Sequence, residues 1–91
     1  SYYHDKFNGR KTASGQIFDN LKNTAAHRKL KFGTQVLVTN PINKKSVLVT
    51  INDRGPFTKG REIDLTKKAF MEISHSTKRG QLDVKLEIVQ D

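Results

Sequence analysis

The chain has 91 residues, of which 34% are hydrophobic, so it is long enough for one domain with one small core. Its net charge of +8, from 17 Lys and Arg against nine Asp and Glu, favours an anionic partner. The sequence contains no run of about 18 apolar residues, which excludes a membrane-spanning helix, and its lack of cysteine excludes disulfides and thiolate metal sites.

In the first half of the chain the pattern predicts short elements separated by polar loops. Residues 2–4 are typical of a strand, and a polar loop follows over 6–14. A short mixed element is predicted at 16–19, and a helical turn at 23–27 with Asn23 or Thr24 as its N-cap. Alternating Val36 and Val38 then predict a hairpin, with strands at 34–40 and 46–51 around a turn at 41–45.

The second half predicts one helix and one closing strand. Apolar residues recur at helical spacing up to residue 73, after Asp64 or Thr66 as the cap. A polar loop follows at 75–80, and alternation over 82–88 predicts a half-buried strand. The apolar residues concerned are Leu65, Ala69, Phe70 and Ile73 in the helix, and Leu82, Val84, Leu86 and Ile88 in the strand. Together the elements predict a mainly β, compact barrel with one or two short helices, because closure removes exposed edges.

The stretch 47–57 ends a strand abruptly. Residues 47, 49 and 51 are apolar and share one face, whereas Gly55 and Pro56 cannot continue a central strand. Asp53 and Arg54 therefore stand at the exit of a buried strand, where a rigid sheet aims side chains that remain open to solvent. A turn-capping Asp53 paired with Arg54 explains the same residues equally well.

Four blocks, in order and at compatible spacing, carry a family resemblance. They are 10–15 (Arg-Lys-Thr-Ala-Ser-Gly), 24–27 (Thr-Ala-Ala-His), 30–40 (from Leu-Lys-Phe-Gly-Thr to Val-Leu-Val-Thr-Asn) and 51–65 (from Ile-Asn-Asp-Arg-Gly-Pro-Phe to Arg-Glu-Ile-Asp-Leu). On these blocks the chain resembles the rare lipoprotein A family over almost its whole length. The resemblance implies a six-stranded double-psi β-barrel and lytic transglycosylase activity on bacterial peptidoglycan, at the septum or elsewhere in the wall.

Members of that family are exported and often lipid-anchored. The resemblance therefore implies that residues 1–91 form a single domain, excised from a longer exported protein of the bacterial cell envelope. The expected partner is a peptidoglycan glycan strand, bound by a monomer that makes no membrane contact of its own. Basic residues are spread along the chain in pairs rather than in a tract, which argues against specific nucleic-acid binding.

The resemblance also implies where the chemistry lies. The family has a Glu directly after the first block, a His ending the second and an Asp in the fourth, and these positions hold Gln16, His27 and Asp53. The glycosidic bond is cleaved without water, because the muramic acid 6-hydroxyl attacks its own anomeric carbon. A carboxylic acid must protonate the leaving oxygen and a base must accept the hydroxyl proton.

Gln16 departs from the family. An amide matches a carboxylate in shape but cannot deliver or accept a proton at neutral pH. Either this is a natural member reduced to binding, or a Glu has been replaced to trap substrate, and the intact motif around residue 16 favours the replacement. Two functions therefore stand: a transglycosylase with its acid position amidated, and an expansin-like glycan-binding module that does not cut.

Four residues that flank the proposed chemistry are candidate ligands for sugar hydroxyls or muramyl carboxylates. They are Thr12, Ser14, Asn52 and Arg54. Turn and strand capping explain these side chains equally well. Asp64 is interpreted as structural, because a carboxylate at the start of the predicted helix accepts from unpaired N–H groups.

The three histidines do not form a metal site. His27 beside two alanines is typical of a packed core residue, and the family resemblance alone makes it a catalytic candidate. His4 and His75 match no motif and are predicted on the surface. Because the three spacings are unrelated and no Cys is present, neither a metal nor another cofactor is expected.

Overall fold

The computed structural model describes Tyr2, residues 7–74 and residues 83–90. Its elements are the strands β1 (Thr24–His27), β2 (Gln35–Thr39), β3 (Ser46–Asp53), β4 (Ile63–Leu65) and β5 (Lys85–Gln90), with the helix α1 (Lys67–Ile73) between the last two. The strands form one five-stranded mixed sheet in the order β4-β1-β3-β2-β5. The mainly β prediction is confirmed, while a sixth strand and barrel closure remain predictions.

The central hairpin is confirmed. β2 and β3 pair antiparallel from Gln35 opposite Thr50 to Thr39 opposite Ser46. Alternation produces this pairing, since the valines of both strands point to one face and are buried there. β3 runs two residues beyond the predicted end, so Asp53 is its last residue rather than the first of the loop.

The core lies between this hairpin, the strands β1 and β4, and the helix α1. Its fully or nearly buried members are Ala25, Val36, Val38, Val47, Val49, Ile51, Ile63, Leu65, Ala69, Phe70 and Ile73. β5 pairs antiparallel with β2. Val84 and Leu86 pack partly against the core, but Ile88 is 57% exposed, so the alternation of the closing strand buries only part of its apolar face.

The predicted helical turn at 23–27 is wrong, and Asn23 and Thr24 are not N-caps. Residues 24–27 are β1, which pairs parallel with β3 on one side and antiparallel with β4 on the other. Two neighbouring strands satisfy its backbone, and Ala25 and Ala26 are completely buried between them. This tertiary pairing overrides the helical preference of alanine.

The helix begins at Lys67, two residues after Leu65, the first residue of its apolar pattern. Thr66 is the N-cap and accepts from the Ala69 backbone N–H at 3.3 Å. Asp64, the other proposed cap, is wrong in that role, because it lies in the middle of β4. Leu65 also belongs to this strand: with Ile63 it is buried two residues apart, which is strand spacing.

Some predicted features fall on residues outside the described ranges. These are His4, His75, Leu82, the polar loop at 75–80 and all of the first strand except Tyr2, which forms an isolated bridge with Leu65. Within the described ranges, no helix has the length and apolar character needed to cross a membrane.

Candidate functional site

The first sequence block folds into a tight hairpin loop. Lys11 bridges Ile17, and the Thr12 N–H donates to the Gln16 carbonyl at 2.7 Å. Gly15 turns the chain with a φ of 89°, a left-handed conformation that side chains disfavour. The short element predicted at 16–19 is thus the returning arm of this loop, and it leaves Gln16 exposed at the tip.

The loop is bonded to the end of β3. The Ala13 N–H donates to Asp53 Oδ1 at 2.8 Å, and the Ser14 N–H donates to the Asn52 carbonyl at 3.2 Å. Asn52 Nδ2 in turn donates to Gln16 Oε1 at 3.1 Å. These contacts bring Gln16, Asn52 and Asp53 together from distant parts of the sequence.

Thr12 and Ser14 hold the shape of the loop. Their hydroxyl oxygens lie 2.9 Å apart, and Ser14 Oγ accepts from the Gln16 N–H at 3.4 Å. Thr12 is buried and Ser14 half-buried. The capping interpretation of these two hydroxyls therefore accounts for the contacts that they make within the loop.

A shift in register turns the Asp53 side chain away from the core. Ala25 pairs with Ile51, but the next residue, Ala26, pairs with Asp53, so Asn52 is an extra residue in the manner of a β-bulge. In a regular strand Asp53 would share the buried face of Ile51, two residues earlier. The bulge instead sets it beside Ala26 on the opposite face, and bulges often re-aim side chains next to active sites.

Asp64 reaches the same face from the other side of β1. Ala26 pairs with Asp64 of β4, so Asp53, Ala26 and Asp64 form one row across three strands. Asp64 Oδ1 accepts from Arg61 Nη2 at 3.1 Å. Burial raises the pKa of the Asp64 carboxyl above its ordinary value, with Arg61 opposing the rise and the charge of Asp53 adding to it.

His27 at the end of β1 is held in one tautomer. Its Nδ1 accepts from the backbone N–H groups of Lys29 and Leu30, both at 3.1 Å. The proton of the neutral ring is therefore on Nε2, which lies 3.8 Å from Glu62 Oε1. Burial lowers the pKa of His27, although Glu62 acts in the opposite direction. His27 is thus a neutral N–H donor near pH 7.

Arg54 joins the ends of β1 and β3. Its Nη1 donates to the Leu30 carbonyl at 2.8 Å and to the His27 carbonyl at 3.3 Å. The guanidinium carbon lies 4.0 Å from the centroid of the Phe32 ring, a cation–π contact. Through Arg54, the backbone of His27 is tied to the strand that carries Asp53.

The structure thus connects the three family positions unequally. Gln16 and Asp53 share the loop and Asn52, whereas the described side-chain contacts of His27 are with Lys29, Leu30 and Glu62.

Sequence reasoning assigned Asp64 to a helix cap. The signal that could have found its position is the apolar–polar–apolar order of residues 63–65, which is typical of a short strand with its central side chain turned out. No group of three His, Asp or Glu residues suited to a metal occurs in the described ranges.

Comparison with known proteins gives a consistent family. Residues 1–86 match the family model described as lytic transglycolase. The chain is 60% identical over 73 residues, 80% of its length, to the endolytic peptidoglycan transglycosylase RlpA of Pasteurella multocida. It is 54% identical over 91 residues, 99% of its length, to a probable RlpA of Synechocystis. The matched parts are 25% and 28% of those relatives, so the chain spans about a quarter of their length.

Proposed function

This chain belongs to the RlpA-like family of lytic transglycosylase domains, and from that premise we propose that it is the catalytic domain of a peptidoglycan transglycosylase. Its substrate is the glycan strand, cleaved between N-acetylmuramic acid and N-acetylglucosamine to leave an anhydromuramyl end. We propose further that the domain is a monomer, residues 1–91 of a longer exported protein, and that it works in the bacterial cell envelope.

The observation that carries this proposal is the bonded loop at the end of β3. The Ala13 N–H orients the Asp53 carboxylate, and Asn52, the preceding residue of β3, orients the side chain at position 16. A carboxylic acid at position 16 would protonate the leaving oxygen, and Asp53 would accept the proton of the attacking 6-hydroxyl. Both groups are held by short contacts to the same strand end, as paired acid–base catalysis requires.

Gln16 lowers the rate by removing proton transfer from the first of these positions. Its amide still accepts from Asn52, so the local geometry is kept. The loss of one acid–base group costs about 10² to 10⁴ in rate. We propose that this chain binds glycan normally and turns it over slowly or not at all.

His27 acts in this proposal as a hydrogen-bond donor rather than as the base. Protonating Nδ1 would remove the acceptor of two backbone N–H groups, so the ring keeps its proton on Nε2. That N–H is available to a sugar or acetamido oxygen when Glu62, which is exposed, turns away. Thr12, Ser14, Asn52 and Arg54 are proposed to line the glycan-binding surface around these groups.

The test is digestion of purified peptidoglycan, with anhydromuramyl ends measured by mass. Gln16→Glu should raise product by about 10² to 10⁴, and Gln16→Glu with Asp53→Asn should lose the gain, because acid–base groups acting as a unit are not additive. Asn8→Asp is the matched control: it adds one carboxylate on an exposed part of the adjoining loop segment and keeps the oxygen that accepts from the Asn20 N–H. It should form no additional product.

The alternative is a glycan-binding module that does not cut. It is favoured if Gln16→Glu folds and binds glycan as the parent does, yet forms no anhydro product. Binding is measured by titration with soluble glycan chains at several salt concentrations. Ion pairing to muramyl carboxylates predicts affinity that falls moderately with salt, since sugar hydroxyl contacts are less screened.

A further inference from the structure

Phe57 is an exposed aromatic residue on the loop that leaves the end of β3. It follows Asp53 by four residues, so the two Cα atoms are at most about 14 Å apart, the span of a fully extended chain of that length. Phe57 is 80% exposed, whereas Gly55 and Pro56, directly before it, are buried. The chain therefore passes from a buried backbone to an exposed phenyl ring within one residue.

The backbone beside this ring is held in place. Arg28, the residue after β1, donates from Nη1 to the Pro56 carbonyl at 2.7 Å and also to the Arg61 carbonyl, which ties both ends of the segment 56–61 to the end of β1. Gly55 has a φ of 121°, and the Phe57 ring lies 3.6 Å from the position that a Cβ would take there. The attachment of the ring is thus fixed in advance, which lowers the entropy lost when a ligand binds.

The Phe57 ring is uncovered, unlike the other aromatic rings in the described ranges. Those are Phe18, which is buried, Phe7 and Phe32, which have the guanidinium groups of Arg10 and Arg54 over them, and Tyr2 and Phe70, which lie against each other. Within the same ranges no ring or guanidinium covers Phe57. One face of an aromatic ring beside the proposed site is therefore open to a ligand.

The neighbours of this ring favour a sugar as its ligand. Thr58 and Lys59, which follow Phe57, are both exposed and polar. A hexose has C–H groups on one face, which pack on a flat aromatic ring, and hydroxyls at its edge, which bond to polar neighbours. A specific protein interface instead needs a continuous surface of about 1,000 Å². One apolar ring among polar residues matches the first of these two ligands.

We propose that Phe57 stacks against one sugar of the glycan strand and so holds that strand beside Asp53. The inference rests on the proposed function, to which it adds a binding residue that takes no part in proton transfer. Because the ring contacts the sugar equally before and during bond cleavage, it contributes to affinity rather than to the rate of the chemical step. A purely structural Phe57, present only to cover Gly55, would leave the affinity for glycan unchanged.

A tryptophan at this position reports the contact directly, because the chain has no tryptophan of its own. When Phe57→Trp is titrated with soluble glycan chains, its fluorescence emission should shift to shorter wavelength and become protected from quenching by iodide. Ile42→Trp is the matched control, since Ile42 is 82% exposed and lies in the turn between β2 and β3, at the opposite end of β3 from Asp53. Its emission should not change. Equal responses from the two variants overturn the proposal.

Removing the flat ring should weaken binding. Phe57→Leu keeps an apolar side chain over Gly55 and should lower the affinity for the same glycan chains by about 2- to 10-fold, whereas Phe57→Tyr should bind as the parent does. Added to Gln16→Glu, Phe57→Leu should raise KM by a similar factor and leave kcat unchanged, as the loss of uniform binding does. Urea unfolding shows whether each variant is folded.

Each outcome decides for or against the stacking contact. Unchanged glycan affinity in a folded Phe57→Leu protein overturns the proposal and points to a protein partner for the ring. A fall in kcat alone overturns it as well, because that result indicates a displaced loop beside Asp53. If Gln16→Glu forms product in either case, the proposed function stands without this contact. If the parent binds no glycan and Gln16→Glu forms no product, the proposed function and the role of Phe57 are overturned together.

Discussion

Two adjacent rows of the sheet face opposite sides and differ in their outer residues, although each has a completely buried alanine at its centre. Ile51, Ala25 and Leu65 form one row across β3, β1 and β4, and all three are buried in the core. The next row is Asp53, Ala26 and Asp64, which turns to the opposite face. The same hydrogen-bonded ladder therefore supports the apolar packing and aims the carboxyls. Stability should depend on the first row and chemistry on the second.

The largest effect should come from breaking the apolar row. Ile51→Ala removes a fully buried side chain and should lower the free energy of unfolding by about 2–5 kcal/mol. Asp53→Asn keeps an oxygen to accept from Ala13 and should change it by less than about 1 kcal/mol. Urea unfolding of both variants measures the difference. Equal losses would show that the two rows do not divide stability from chemistry.

A smaller effect is expected at the end of β1. His27→Ala leaves two backbone N–H groups without their acceptor and should cost about 1–3 kcal/mol. His27→Asn is the control, because its Oδ1 can take the place of Nδ1, and it should recover most of this loss. If alanine and asparagine destabilise alike, the ring contributes by packing rather than by accepting these bonds.

Asn52 should matter more for activity than for stability. Asn52→Ala removes the bond to Gln16, but it also removes a buried Oδ1 that has no partner among the described residues. The net loss of stability should be at the low end of about 0.5–1.5 kcal/mol. In the Gln16→Glu protein the same change should slow product formation, since residue 16 loses its orientation. An unchanged rate would contradict a positioning role for Asn52.

The smallest effect is a pH dependence of stability that comes from His27. Its pKa is lowered in the folded state, so the unfolded chain binds the proton more readily. Stability from this group is complete above its ordinary pKa of about 6.5 and is lost as pH falls from there through the folded value. Urea midpoints across that window should decline in the parent and lose this component in His27→Asn. A parent and variant with parallel pH profiles would refute it.

The sequence predicted some elements better than others for physical reasons. Alternating valines specified the β2–β3 hairpin, because each strand buries one face and a slip by one residue would expose it. The alanines of β1 carry no such signal. Alanine is small enough to be buried between two strands, but in the sequence it favours a helix. β4 has three residues, too few for a period of two to stand out against the helical spacing that Leu65 shares with α1.

For the candidate site, the family blocks singled out Gln16 and Asp53, whose catalytic roles stay predictions, and the structure brings both to the loop at the end of β3. The bulge at Asn52 was not predictable, because the parity of residues 47–53 places Asp53 on the buried face. Asp64 was missed for the same reason: its neighbour across the sheet is known only once the register is known. The local sequence pattern therefore identified candidate residues, but their arrangement in space depended on pairing between strands that are distant in sequence.

Because of the extra residue at position 52, β3 is one residue longer than its pairing with β1 requires. Asp53 is the partner of Ala26 with Asn52 present, and shortening β3 by that residue would bring the same two residues opposite each other in a regular ladder. Deleting Asn52 would therefore preserve the sheet and the placement of Asp53 while releasing the side chain at position 16. Insertions and deletions at this strand end therefore offer a route, distinct from substitution, by which such a domain can gain or lose the contact that orients residue 16 while it keeps its fold.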